Sequence, residues 1–199
     1  MRPRMWFLTA LLSVSLLFAA AGDPNKVSDT GFLAASGEVT VIVDTDAALH
    51  RASEKFIPLL VWVGHREPKR IYAGRASFSL RDPDGKIHAL PAFDALMKGY
   101  TGGKLHADYA RLREQEAYFQ YAPLRYLDSR PLRGVSFFPD PGGAEILYDQ
   151  VELPSRTYFR ALLYFPNPAG ASAGVYTLVY DDARSGTRVE VPFSIAWAR

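Results

Sequence analysis

Over the last third of the chain, apolar side chains recur at every second position. Phe159, Ala161, Leu163 and Phe165 share one parity, and Val189, Val191, Phe193, Ile195 and Trp197 repeat the pattern against polar or small neighbours. Between them, Val175 to Tyr180 is rich in β-branched and aromatic residues. Period two is the repeat of a strand, whose successive side chains point to opposite faces; a helix cannot keep such a set on one side. Three antiparallel strands are expected here. Asp181 to Gly186 reads as the loop of a terminal hairpin, and Pro192, which has no N–H to give to a ladder, places the last strand at an edge or on a bulge.

The same reading extends upstream. Val39, Val41 and Val43 alternate with Thr40 and Ile42, and Ile57 to Val63 is apolar on both faces, as a central strand would be, with Pro58 near its start. Tyr72, Ala76, Phe78 and Leu80 occupy one parity opposite Arg75, Ser77, Ser79 and Arg81, which reads as one half-buried strand. Asp82-Pro83-Asp84-Gly85 then turns the chain into a strand from Lys86 to Leu90. Short strands separated by turn signals point to a mainly β chain, an antiparallel β-sandwich. Gly174-Val175-Tyr176-Thr177-Leu178 resembles the entry to the penultimate strand of immunoglobulin-like domains, where a tyrosine hydroxyl ties a corner back to the backbone. That resemblance covers a few residues and implies an immunoglobulin-like sandwich. The paired cysteines of antibody domains are missing, and Trp62 is the candidate core tryptophan on an early strand.

A helical insertion interrupts the sheet order at about 91–134. Asp94 to Lys98 followed by Gly99 reads as a short helix with its stop, and Leu105, Tyr109, Leu112 and Phe119 fall on one helical face opposite Arg111, Glu114 and Gln115. Connections in compact domains are mostly far shorter, so an insertion of this size is functional or covers an open end of the sandwich.

Residues 1–21 read as an export signal. Arg2 and Arg4 precede an apolar run from Met5 to Phe18 closed by Ala19, Ala20 and Ala21, and small residues at 19 and 21 suit a signal peptidase. An uncleaved anchor is the alternative. Both put the folded part outside the cytoplasm, periplasmic or secreted. A flexible polar tether is expected over 22–37, then a single domain over 38–199. With no cysteine in the sequence, stability has to come from burial and sheet hydrogen bonding, and thiol nucleophiles, thiolate zinc sites, blue copper and lipidation at a cysteine are excluded. The chain carries 23 basic and 21 acidic residues, and loss of Arg2 and Arg4 leaves the two signs equal, so no general field attracts a phosphate backbone and nucleic acid is not an expected partner.

Motifs for chemistry are scarce. His50, His65, His88 and His106 show no metal-ligand spacing, and His65 and His88 read as solvated loop or surface residues. Asp44 and Asp46, with Asp181 and Asp182, could meet at one pole around a hard cation, but solvated loop carboxylates are the commoner case. No nucleophile elbow, phosphate loop or dinucleotide fingerprint occurs, and no cofactor or metal is expected. The strongest local signal is aromatic and basic: Tyr118, Tyr121, Arg125 and Arg130 in the insertion are the candidate binding residues, suited to sugars, peptides or anionic groups, unless they pack the insertion down and pair with its acids. The expectation is an exported non-catalytic envelope module that binds a protein or cell-envelope polymer through this insertion or an exposed sheet edge. An envelope hydrolase with its site under the insertion, or a purely structural assembly domain, is the alternative. N-terminal sequencing of the exported chain should begin at Gly22; a chain retaining Met5 to Phe18 would establish the anchor instead.

Overall fold

The computed structural model describes residues 23, 25–66, 68–100, 103–119, 130–132, 135–138, 146–167, 170 and 172–198, the side chains of 113–119, 135 and 146 left aside. The chain is mainly β, with several sheets and, among the described residues, two α-helices. In order come β1 (Gly31–Ser36), β2 (Val39–Asp44), β3 (Phe56–His65), β4 (Ile71–Gly74), β5 (Phe78–Arg81) and β6 (Ile87–Ala89). The helices α1 (Phe93–Gly99) and α2 (Lys104–Phe119) follow. Then come β7 (Arg130–Pro131), β8 (Val135–Ser136), β9 (Ile146–Leu147), β10 (Gln150–Leu153), β11 (Thr157–Pro166), β12 (Val175–Asp182) and β13 (Thr187–Ser194). One sheet has the order β1-β2-β3-β11-β7, antiparallel except that β7 runs parallel to β11; a second has the antiparallel order β13-β12-β5-β6. Pairs β10-β4 and β8-β9 complete the set.

Strand β3 is buried at all ten positions, so its two faces must both be covered. Its partner β11 comes close, with Thr157, Arg160 and Pro166 half-buried and the rest buried. Phe159, Ala161, Leu163 and Phe165 are buried as the period predicts, and so are Tyr158, Leu162 and Tyr164 of the other parity. On the first face an aromatic chain crosses between the two large sheets: Phe159 to Phe137 at 4.7 Å between ring centres, Phe137 to Phe78 at 6.0 Å, Phe78 to Tyr180 at 5.4 Å. Phe32 of β1 meets Phe193 of β13 at 6.1 Å, so the sheets share one core. The second face lies under the helices.

Three expectations need correction. Residues 31–36, expected within the tether, are instead a strand paired in register with β2, because Phe32 and the chain beside it supply an apolar edge to the sheet. The stretch read as one strand from Tyr72 to Arg81 is two. A 3₁₀ turn at Arg75–Ser77, with Ser77 Oγ accepting from the Gly74 amide at 3.1 Å, moves the chain from β10 to β12. The three residues of the turn also shift the parity, so Ile71 and Ala73 face inward before it and Phe78 and Leu80 after it. The three late strands each pair antiparallel, β11 with β3 in the first sheet and β12 with β13 as the expected hairpin in the second, with Pro192 on its edge strand. His88 is buried rather than exposed, because β6 pairs with β5 so that His88 stands opposite core-facing Leu80 and shares its face.

That pairing leaves Ile87 outward, at 67% exposure. Ile87→Ala should therefore change stability by under about 0.5 kcal/mol, whereas Phe159→Ala should cost about 3–5 kcal/mol, both read from urea unfolding.

Candidate functional site

The helices reach the outer face of β3 and β11 through a polar centre in an apolar ring. On α2, Leu105, Tyr109 and Leu112 are buried, as the helical period predicts. Asp108 stands on the same stripe, three residues after Leu105 and four before Leu112, and is 2% exposed. Its Oδ1 accepts from Arg51 Nη2 at 2.7 Å and Nε at 3.2 Å; its Oδ2 accepts from the Tyr100 hydroxyl at 2.6 Å and the Tyr164 hydroxyl at 3.4 Å. Arg51 Nε also donates to the Tyr100 oxygen at 2.9 Å. Four donors from the β2–β3 connection, the helix link and β11 thus converge on one carboxylate.

Burial raises Asp108 above the ordinary carboxylate value, against the lowering pull of its Tyr100 and Arg51 partners. Tyr100 and Tyr164 are pushed far up by burial and by the anion beside them, so both stay protonated donors. Around this centre, Tyr100 packs edge-on to Phe56 at 6.2 Å and tilted on Tyr164 at 5.2 Å, and Phe138 meets Tyr164 at 5.5 Å. A Cβ on Gly99 would lie 2.7 Å from the Phe56 ring, so the end of α1 sits directly on that ring. Both carboxylate oxygens are already taken up by the chain's own donors. The arrangement anchors the helices to the sheet.

Of the predicted binding residues, Tyr121 and Arg125 lie outside the described residues. Tyr118 belongs to α2 by its backbone alone. Arg130 is exposed at the end of the first sheet, where β7 runs beside Thr157 and Tyr158. The aspartates proposed to meet at one pole have other partners. Asp44 accepts from Thr30 Oγ1 at 2.9 Å and the Asp46 amide at 2.8 Å, Asp46 pairs with Arg111, Asp181 with Arg188, and Asp182 accepts from the Tyr72 and Arg184 amides. Among the described residues no three His, Asp or Glu side chains gather so as to hold a metal ion.

Two histidines read as solvated are buried. His65, 1% exposed at the end of β3, directs Nε2 to the carbonyl oxygens of Leu153 at 3.0 Å and Pro154 at 2.9 Å; carbonyls only accept, so that nitrogen carries the proton. Nδ1 has no partner. His88 Nε2 lies 2.7 Å from Asp82 Oδ2, across the turn that joins β5 to β6. Partial burial would raise Asp82, but hydrogen bonds from His88 and from the Lys86 and Asp84 amides outweigh it and hold the carboxyl below its ordinary value. The missed residues left one readable trace, an acid among the apolar positions of a helical stripe. Arg51, Tyr100 and Tyr164 reach Asp108 only through the tertiary fold.

No family model matches this sequence, and no curated protein matches it. Among solved structures, the crystal structure of the yjhA protein from Bacillus subtilis aligns with a TM-score of 0.38 and 10% identity, over 82% of this chain and 95% of that one. A likeness at that level carries neither fold nor function across.

Asp108→Leu should cost about 3–5 kcal/mol, because it strands the Arg51 charge, and Arg51→Met with Asp108→Leu should recover much of that loss in urea unfolding. A second expectation concerns acid. The Asp82 carboxyl is lower in the folded chain than its ordinary 3.8, so its contribution is present above that value and fades as pH falls through the folded one. Asp82→Asn should therefore flatten the loss of stability between about pH 5 and 2, followed by thermal unfolding across that range.

Proposed function

We propose that this chain is an exported, non-catalytic module of the cell envelope that binds a protein or an envelope polymer, with the helical insertion as its platform. The observation that carries the reading is the anchored carboxylate. Asp108 has both oxygens engaged by Arg51, Tyr100 and Tyr164, which suits fixing an element in place rather than attacking a substrate. An insertion held this firmly presents a defined outer face, where Asp94, Met97, Lys98, His106 and Ala107 are exposed. Rigid elements present binding groups more precisely than loops do.

The second route considered, strand addition at the β13 edge, has less in its favour, since β13 runs alongside β1 and β2 and its Phe193 packs on Phe32. For the β body we favour the immunoglobulin-like sandwich. In its support, the Tyr176 hydroxyl donates to the Ser172 carbonyl at 3.3 Å, four residues upstream, as a tyrosine corner does. Trp62, the proposed core tryptophan, is 6% exposed on β3.

The test is co-sedimentation of the purified chain with peptidoglycan sacculi and with envelope membrane vesicles, beside a variant carrying Met97→Glu, Lys98→Glu and His106→Glu on the outer face. Binding by the parent that drops at least about tenfold in the variant, about 1.4 kcal/mol, with unfolding curves unchanged, is expected. Equal binding by both would overturn the platform and point to an edge.

A further inference from the structure

The contacts of α2 with the β2–β3 connection follow an order that apolar docking does not require. Lys104 pairs with Glu54 at 2.5 Å, Asp108 with Arg51 at 2.7 Å, and Arg111 with Asp46, its Nη2 lying 3.0 Å from Oδ1. Positions 104, 108 and 111 form one stripe of the helix, and their partners at 54, 51 and 46 run in the opposite direction. The signs alternate along both lines: plus, minus, plus on the helix against minus, plus, minus on the connection. Sliding the helix by one turn would bring Lys104 to Arg51 and Asp108 to Asp46 or Glu54, like charges in each case, so the order fixes register as well as attraction.

The three pairs differ in burial. Asp108 is 2% exposed, while the flanking side chains run from 18% to 38%, within reach of water and salt. The helices add no strand to any sheet described, so their release breaks no ladder. Beside the ion pairs, the Tyr109 hydroxyl of α2 donates to the Phe138 carbonyl at 3.2 Å.

We propose that α1 and α2 form an ionically latched flap that lifts from β3 and β11 as one unit while both large sheets stay folded, with the Lys104–Glu54 and Arg111–Asp46 pairs setting how often it lifts. Lifting uncovers the ring faces of Phe56 and Tyr164, now covered by Tyr100. This holds whether or not the outer face of the insertion binds anything. Regions that open below the global unfolding free energy do so as contiguous units, and exposed ion pairs weaken as salt rises.

Native-state hydrogen exchange on the whole chain tests it. The amides from Leu105 to Leu112 should exchange through one common opening, more often than those of β3 and β11, and 1 M sodium chloride should raise that opening about threefold with the sheet amides unchanged. Glu54→Lys should raise it about fivefold, and Glu54→Lys with Lys104→Glu should return it to within about twofold of the parent. If Glu54→Lys does not fold, Glu54→Gln should still raise it about threefold. Exchange of the helix amides only together with β3, or a double reversal as open as the single one, would overturn the latch.

Discussion

A strand with no solvent face dictates most of this architecture. Every side chain of β3 is out of water, and its neighbour β11 is nearly so, which asks for a cover on each side of a five-stranded sheet. One cover is the second large sheet, joined through the rings of Phe159, Phe137, Phe78 and Tyr180. The other is the helical insertion, with Leu96, Leu105, Tyr109 and Leu112 buried. The insertion is therefore part of the hydrophobic economy of the fold, and truncating it would leave half of the central sheet exposed to water.

That cover has a charge at its centre. An apolar residue at position 108 would bury at lower desolvation cost, and buried ion pairs are often neutral or worse for stability beside hydrophobic equivalents. What Asp108 adds is direction: a carboxylate met by a guanidinium and two phenols tolerates one placement of the helix, whereas leucines on tyrosines would tolerate several. The alternating pairs on either side extend that specification along two turns of α2. Stability comes from the ring of aromatic and aliphatic contacts, and uniqueness of docking comes from the polar line through it.

How much of this was readable beforehand depended on the range of the interaction. Period-two patterns at Phe159 to Phe165 and Val189 to Ile195 are local, and they located β11 and β13 and the parity of each. The hairpin at Asp181 to Gly186 and the edge position of Pro192 were local too. Sheet membership was not, since nothing in Tyr158 to Phe165 says that its partner is Ile57 to Gly64 rather than the strand that follows. His65 and His88 were misplaced for the same reason: each is buried by what lies opposite it. The 3₁₀ turn at Arg75–Ser77 hid inside a pattern that alternated well enough to pass for one strand. The buried centre left a single acid on an apolar stripe as its trace, while of the candidate binding residues Tyr118, Tyr121, Arg125 and Arg130 only Arg130 has its side chain described, and it is exposed.

The seat of Gly99 on the Phe56 ring has an evolutionary consequence. A methyl group at 99 would lie 2.7 Å from the present Phe56 ring, so one of the two must shift, and a side chain at 99 goes most easily with a smaller residue at 56. Two positions more than forty residues apart are thereby tied into a single heritable choice. In an alignment too diverged for overall similarity to register, that paired exchange would be a signature by which remote kin of the chain could be told from chance.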